Sequence, residues 1–334
     1  MYKVARLDDA ERQTLFRNTA GKMKLNEAVV EKDFWVCILL DYLFHHCSYK
    51  DTFTFKGGTS LSKGYGLIKR FSEDIDLILD WRVLGYSKEE PWLSRSNTKQ
   101  EMFNREINLN AERFIIDKLL PDLRNGFSAM LNRPVDLEID NEEHQSINFN
   151  YPHTFSSEYI LQAVKLEIGP LAAWTPAKEV KILSYAAEQY HKIFTTAATN
   201  ILTVTPERTF WEKATILHQE ANRPVGSAMP SRYSRHYYDM YCIAQSHYKN
   251  EALVNVDLLR RVAEFKMKFY PRKWAKYEEA APGTLKLYPA EYSLKILRMD
   301  YAKMADMFYG AYPDFDEMMA SIKLLEDEIN NLQI

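Results

Sequence analysis

Thr52-Phe53-Thr54-Phe55-Lys56-Gly57-Gly58-Thr59-Ser60, followed by Ser72-Glu73-Asp74-Ile75-Asp76-Leu77-Ile78-Leu79, are the stretches from which the fold can be read. The first alternates as a short strand and breaks at paired glycines. The second alternates again after a helical interval at 61–70, which Gly64 and Gly66 interrupt. Glycine has no Cβ, so the backbone at Gly57 and Gly58 can approach a phosphate closely, and a helix starting at Thr59 or Ser60 offers unpaired N–H groups to an anion. The hydroxyls of Thr59, Ser60 and Ser62 are further donors. Side chains on a strand repeat every two residues, so Asp74 and Asp76 share one face and Ile75, Leu77 and Leu79 take the other. Two adjacent carboxylates repel unless a cation lies between them, which is the requirement of a Mg²⁺ site. The glycine element is not a Walker A loop, which needs G-x-x-x-x-G-K-[ST].

Outward from this core, 25–46 has helical periodicity, 81–100 is loop-like, and a long helix spans roughly 100–131. Residues 135–139, 147–151 and 163–168 alternate as strands. Beyond about 200 the strand signals stop, and Thr205-Pro206 starts a helix with an N-cap and a proline at the first position. The expected architecture is α/β (α+β): a mixed-sheet domain with N-terminal helices over 1–200, then a helical domain over 201–334 that closes the cleft. No internal repeat or low-complexity tract interrupts it.

The composition, 46% hydrophobic and 27% charged over 334 residues, is that of a folded globular chain. Cys37, Cys47 and Cys242 are odd in number and far apart, which suits a reducing compartment. Met1-Tyr2-Lys3-Val4-Ala5-Arg6 shows no signal peptide, and the apolar stretch 34–44 is too short for a membrane span and contains Asp41, so a cytoplasmic protein is expected. Net charge is −3, yet 260–277 has seven Lys or Arg against one Glu, interleaved with Phe265, Phe269, Tyr270, Trp274 and Tyr277. Basic residues among aromatics suit a phosphate strand with bases to stack; the plainer reading is a solvated helix whose aromatics are core.

Strand, Gly-Gly-Thr-Ser, helix, strand, Asp-x-Asp, in that order, is the layout of the DNA polymerase β-like nucleotidyltransferases. The interval from Thr59 to Glu73 is somewhat longer than is usual there. The chain further resembles the AbiEii/AbiGii nucleotidyltransferase toxins of bacterial abortive-infection and toxin–antitoxin systems, which are related to the MenT toxins. The resemblance is carried by Val30-Glu31-Lys32-Asp33-Phe34-Trp35-Val36, Lys56-Gly57-Gly58-Thr59-Ser60-Leu61-Ser62-Lys63 and Arg70-Phe71-Ser72-Glu73-Asp74-Ile75-Asp76. Val164-Lys165-Leu166-Glu167-Ile168, Thr209-Phe210-Trp211-Glu212-Lys213 and Arg235-His236-Tyr237-Tyr238-Asp239 continue it. It implies a magnesium-dependent nucleotidyltransferase that uses an NTP, acts on RNA (in particular the tRNA 3′ end), and inhibits growth or aborts phage infection unless a cognate antitoxin protein opposes it.

On that resemblance Asp74, Asp76, Lys213 and Asp239 are the catalytic candidates. Lys56, Gly57, Gly58, Thr59, Ser60, Lys63 and Ser72 are expected at the nucleotide, and Glu167 is the candidate third metal carboxylate. Asp136, Glu138 and Asp140 share a strand face but read as a solvated edge. By its residues alone, Lys213 either snorkels from the stripe of Phe210, Ala214 and Leu217 or neutralises a triphosphate. Asp239 either forms a surface pair with Arg235 or belongs to the site. Arg272, Lys273 and Lys276 are the expected RNA contacts, with Arg223, Arg232 and Arg235 as the alternative face. The histidines lack ligand spacing. Two rival functions share these residues: transfer to a protein or small-molecule hydroxyl, and an inactive fold that binds nucleotide or a partner.

Overall fold

The structure, a computed structural model, describes residues 1–157 and 160–332. It divides into two compact units, Met1–Tyr65 with Ser72–Val204, and Gly66–Phe71 with Thr205–Ile334.

In the first unit a single helical turn at Tyr2–Ala5 precedes helix α1 (Asp9–Met23), closed by a capping box between Asp8 and Glu11, and α2 (Glu27–His45), capped by Asn26. From Val30 to Leu43 every residue of α2 is buried, the acidic and basic ones included. That helix packs on a seven-stranded mixed sheet: β1 (Phe53–Lys56), β2 (Ile75–Leu79), β3 (Asp136–Ile139), β4 (Ser146–Asn150), β5 (Val164–Gly169), β6 (Ala177–Leu183) and β7 (Ala198–Val204). Their order is β3-β4-β5-β2-β1-β7-β6. The central pairs β2–β5 and β1–β7 are parallel; β1–β2 and both margins are antiparallel. Trp35 of α2 lies 5.8 Å from the Phe149 ring and 6.2 Å from Tyr151, so helix and sheet interlock through aromatic rings. Beside the sheet, α3 (Asn97–Phe114) and α4 (Leu120–Leu131) are joined by a wider π-type turn at Ile115–Leu119. Pro121, at the start of α4, has no N–H for the ladder there, which accounts for the local widening.

Two departures from the sequence reading have physical causes. Strands β6 and β7 were not expected. On the edge strand β6 the alternation is confined to buried Val180 and Ile182 between exposed Lys and Glu, and on β7 the buried face includes Thr199 and Thr203 beside Ile201. Nor does a helix run over 61–70. A single turn, Gly57–Thr59, continues as a π-type turn to Gly64, and Gly66 adopts φ +63°. Residues Gly66–Phe71 then leave the first unit.

The second unit is helical: α5 (Pro206–Ala221), α6 (Ser234–Ala244), α7 (Val256–Phe269), α8 (Glu291–Lys303) and α9 (Phe315–Asn330). Phe210, Trp211, Tyr237, Met240, Met318 and Ile322 are fully buried at its centre. Segment Gly66–Phe71 belongs here through backbone bonds. Arg70 bridges Phe308, Phe71 N–H donates to Met307 O at 2.7 Å, and Tyr309 N–H donates to Lys69 O at 2.9 Å.

Candidate active site

Three strands set out the carboxylates. β1 and β2 pair so that Lys56 lies opposite Asp76, and β2 and β5 pair so that Asp76 lies beside Glu167. Register partners share a face, which puts Lys56, Asp76 and Glu167 in one row across the sheet. Asp74 precedes β2 and completes the set. The three carboxylates repel one another. Glu167 has its pKa raised from 4.5 to about 7, by burial first and then by repulsion from Asp76 and Asp74, against a small opposing pull from Lys165.

The glycine turn is fitted to Asp76. Gly57 has φ +83°, and a Cβ there would run into the Asp76 carboxylate, so only glycine satisfies both the conformation and the approach. The hydroxyls expected to face a ligand are committed to the backbone instead. Thr59 Oγ1 donates to Asp74 O at 2.5 Å and lies 3.0 Å from Ser72 Oγ, while Ser60 Oγ donates to Gly57 O at 2.8 Å. These bonds shape the turn. Lys63 also turns inward, its ammonium 2.8 Å from Asp33 and 3.8 Å from the Tyr185 ring centre.

The second unit contains a buried charged cluster. Arg70 grips Asp239 through two bonds, Nε to Oδ1 at 2.7 Å and Nη2 to Oδ2 at 2.8 Å, and Lys213 Nζ donates to Oδ2 at 2.7 Å. Asp239 is fully buried and yet ionised. Burial works against its charge, but Arg70 and Lys213 hold its pKa well below the usual carboxylate range. Burial, then Arg70, lowers the Lys213 pKa, with Asp239 opposing. His236 Nδ1 lies 3.1 Å from Lys213 Nζ; burial and the Lys213 charge keep the imidazole neutral, so it accepts this bond. Lys213 therefore does not snorkel, and Asp239 is not a surface residue.

A family model described as nucleotidyl transferase AbiEii toxin, type IV toxin–antitoxin system, matches residues 39–321, most of the chain. The chain belongs to the AbiEii nucleotidyltransferase toxin family. Among solved structures it is similar to MenT4, a nucleotidyltransferase toxin from Mycobacterium tuberculosis, with 15% identity, a TM-score of 0.55, and 96% of this chain and 90% of that one covered. At that identity the likeness concerns the fold. No curated protein matches the sequence significantly.

In this AbiEii protein the basic stretch 260–277 is not one helix. α7 stops at Phe269, and Phe265, Phe269 and Tyr277 are core, so the plainer reading holds for these aromatics. Arg260 and Arg261 pair with Asp257. Beyond the helix Arg272 and Lys273 are exposed, and Lys276 is exposed but 3.1 Å from Glu279. Trp274 lies between two guanidiniums, Arg223 at 5.0 Å and Arg272 at 5.9 Å from its ring centre. Asp136 and Glu138 are exposed on edge strand β3, as a solvated edge requires.

Arg70, Lys32 and Glu73 were not singled out from the sequence as site residues, and His236 was read there only as a histidine without ligand spacing. For Lys32 a signal was present: Glu31-Lys32-Asp33 interrupts the most apolar helix of the chain, where three charges are costly unless each has a partner. Among the described residues, no three His, Cys, Asp or Glu side chains already have the spacing to hold a metal ion, and no helix is long and apolar enough to cross a membrane.

Proposed function

We propose that this toxin transfers a nucleotidyl group from an NTP to a hydroxyl of RNA, with the tRNA 3′ end as acceptor, and so arrests growth or aborts phage infection. The observation that carries the reading is the grouping of Asp74, Asp76 and Glu167 beside the glycine turn, where burial first and then repulsion from Asp76 and Asp74 raise the Glu167 pKa to about 7. Such a set has a use for a divalent cation. Magnesium keeps several waters and takes substrate phosphates as ligands, so it needs no closed protein cage. Asp74, Asp76 and Glu167 would hold Mg²⁺, which when bound supplies charge for the triphosphate and for an activated hydroxyl.

The chain's own residues do the rest. Gly57 and Gly58, with the backbone of Thr59 and Ser60, admit the triphosphate to the carboxylates, and Lys56 and Ser72 border this turn. An acceptor hydroxyl loses its proton to solvent as its oxygen bonds the α-phosphorus, the bond from that phosphorus to the β-phosphate oxygen breaks, and pyrophosphate leaves. Lys213, presented by Asp239, offsets charge on the phosphates. Arg272, Lys273 and Lys276 hold the RNA backbone. A cognate antitoxin protein restrains the activity, and the cytoplasm is its place of action.

The test is incubation of the protein with total RNA, Mg²⁺ and each labelled NTP in turn. Label in RNA, lost with Asp76→Asn, is expected. Label in protein alone, or none with any NTP, overturns the RNA assignment.

A further inference from the structure

Of the strings that carry the family resemblance, Val30-Glu31-Lys32-Asp33-Phe34-Trp35-Val36 has no part in the chemistry above. Its three charges are among the most deeply buried in the chain: Glu31 and Lys32 are fully enclosed and Asp33 is 3% exposed. Neighbours on a helix point about 100° apart, so each meets a different partner. Glu31 accepts from Thr154 N at 2.8 Å and Phe155 N at 3.0 Å. Asp33 accepts from Tyr185 N at 2.6 Å and pairs with Lys63, on the turn that follows the glycines. Lys32 Nζ donates to Glu73 Oε2 at 2.7 Å and to Leu161 O at 2.8 Å.

The partner of Lys32 matters because of where Asp74 stands. Asp76 lies within the ladder, between Lys56 and Glu167, and the sheet fixes its backbone. Asp74 does not: β2 begins at Ile75, and its first register partner is Leu166. Two side chains bear on this stretch, the Thr59 hydroxyl on the Asp74 carbonyl and the Lys32 ammonium on the residue before it. Lys32 also pairs with Glu73, the carboxylate next in sequence to Asp74.

We propose that Lys32 is a positioning residue of the active site, which through Glu73 fixes Asp74 in the place the sheet does not reach. Lys32 touches no reacting atom; it acts through its neighbour. The inference rests on the reading of Asp74 and Asp76 as metal carboxylates.

Two variants separate tether from charge. Glu73→Gln removes the Glu73 charge but keeps an oxygen for Lys32. Lys32→Met/Glu73→Gln removes the same charge together with the tether. Mn²⁺ binding is measured by calorimetry without NTP, with circular dichroism to confirm folding. Glu73→Gln should bind within about twofold of wild type and the double variant at least fivefold more weakly. Transfer by the double variant should show a reduced kcat at an NTP KM close to wild type. Equal Mn²⁺ affinity in the single and double variants overturns the proposal. Should the double variant not fold, Thr59→Val unties the other tether of Asp74 without touching a charge. The same fivefold loss is expected there, and unchanged affinity overturns the proposal.

Asp76→Asn, run alongside, distinguishes the two levels. If it binds Mn²⁺ like wild type, the carboxylate reading falls and this inference with it. If it loses Mn²⁺ while the double variant does not, only the role of Lys32 falls.

Discussion

In the first unit Asp74, Asp76 and Glu167 stand together with like charges facing one another, whereas in the second Asp239 is buried more deeply and remains ionised because Arg70 and Lys213 surround it. Asp239 is out of water, at a cost that opposite charge offsets, while Asp74, Asp76 and Glu167 are half-buried. The Asp239 cluster contains its counter-charges, whereas Glu167 is pushed towards its neutral form by burial and by Asp76 and Asp74, against the pull of Lys165.

Neutralising one carboxylate in each place tests that contrast most severely. Asp76→Asn should reduce transfer to background while leaving metal-free thermal stability equal to or above wild type, since repulsion is relieved. Asp239→Asn should do the reverse to stability, leaving Arg70 and Lys213 buried without their anion, at a cost of about 3–5 kcal/mol in denaturant unfolding. If both variants destabilise alike, the distinction fails.

Glu167 sharpens the comparison through pH. Its raised pKa means that the folded chain holds the proton more tightly than the unfolded chain does. The stability this group contributes is complete below pH 4.5 and is lost as pH rises through about 7. Over that window the loss is at most about 3 kcal/mol, less what solvent screens. Metal-free melting temperature should therefore decline between pH 5 and 8. Glu167→Gln, or added Mg²⁺ at the upper end, should flatten the decline; an unchanged slope in Glu167→Gln would remove Glu167 from the set.

Lys213→Ala leaves the Arg70–Asp239 pair in place, so NTP KM should rise severalfold with a smaller stability change than in Asp239→Asn. Lys213→Arg should recover only part, a planar fork replacing a point charge. A change in melting temperature with no change in KM would make Lys213 purely architectural. The smallest effect is expected at the exposed cations. Changing Arg272, Lys273 and Lys276 together to Ala should weaken RNA binding at low salt and reduce the slope of log K against log salt by roughly 2, with NTP binding unaffected. Superimposable salt curves would move the RNA face towards Arg223, Arg232 and Arg235.

Much of the first unit was legible because its signals are local. The alternation of Ile75, Leu77 and Leu79 against Asp74 and Asp76 needs only a strand period, and Gly57-Gly58 announces a turn whatever surrounds it. The edge strand β6 was not legible, because one of its faces meets solvent and the other shows only Val180 and Ile182. Arg70 was hidden for a different reason. Its partner Asp239 lies 169 residues away, and no periodicity connects positions that only the fold brings together. The same holds for Lys32 and Glu73, 41 residues apart, though three consecutive charges inside an apolar helix were a visible anomaly. The aromatics of 260–277 left two readings open because composition alone does not tell core rings from exposed ones.

The fit of Gly57 against Asp76 also has an evolutionary side. Every substitution at position 57 adds a Cβ that only displacement of the Asp76 carboxylate can accommodate. For a gene whose product harms its own host, that codon is an escape route: one base change disarms the protein without requiring the rest of it to unfold. Colonies that survive forced expression without antitoxin should return this position repeatedly among their sequenced lesions.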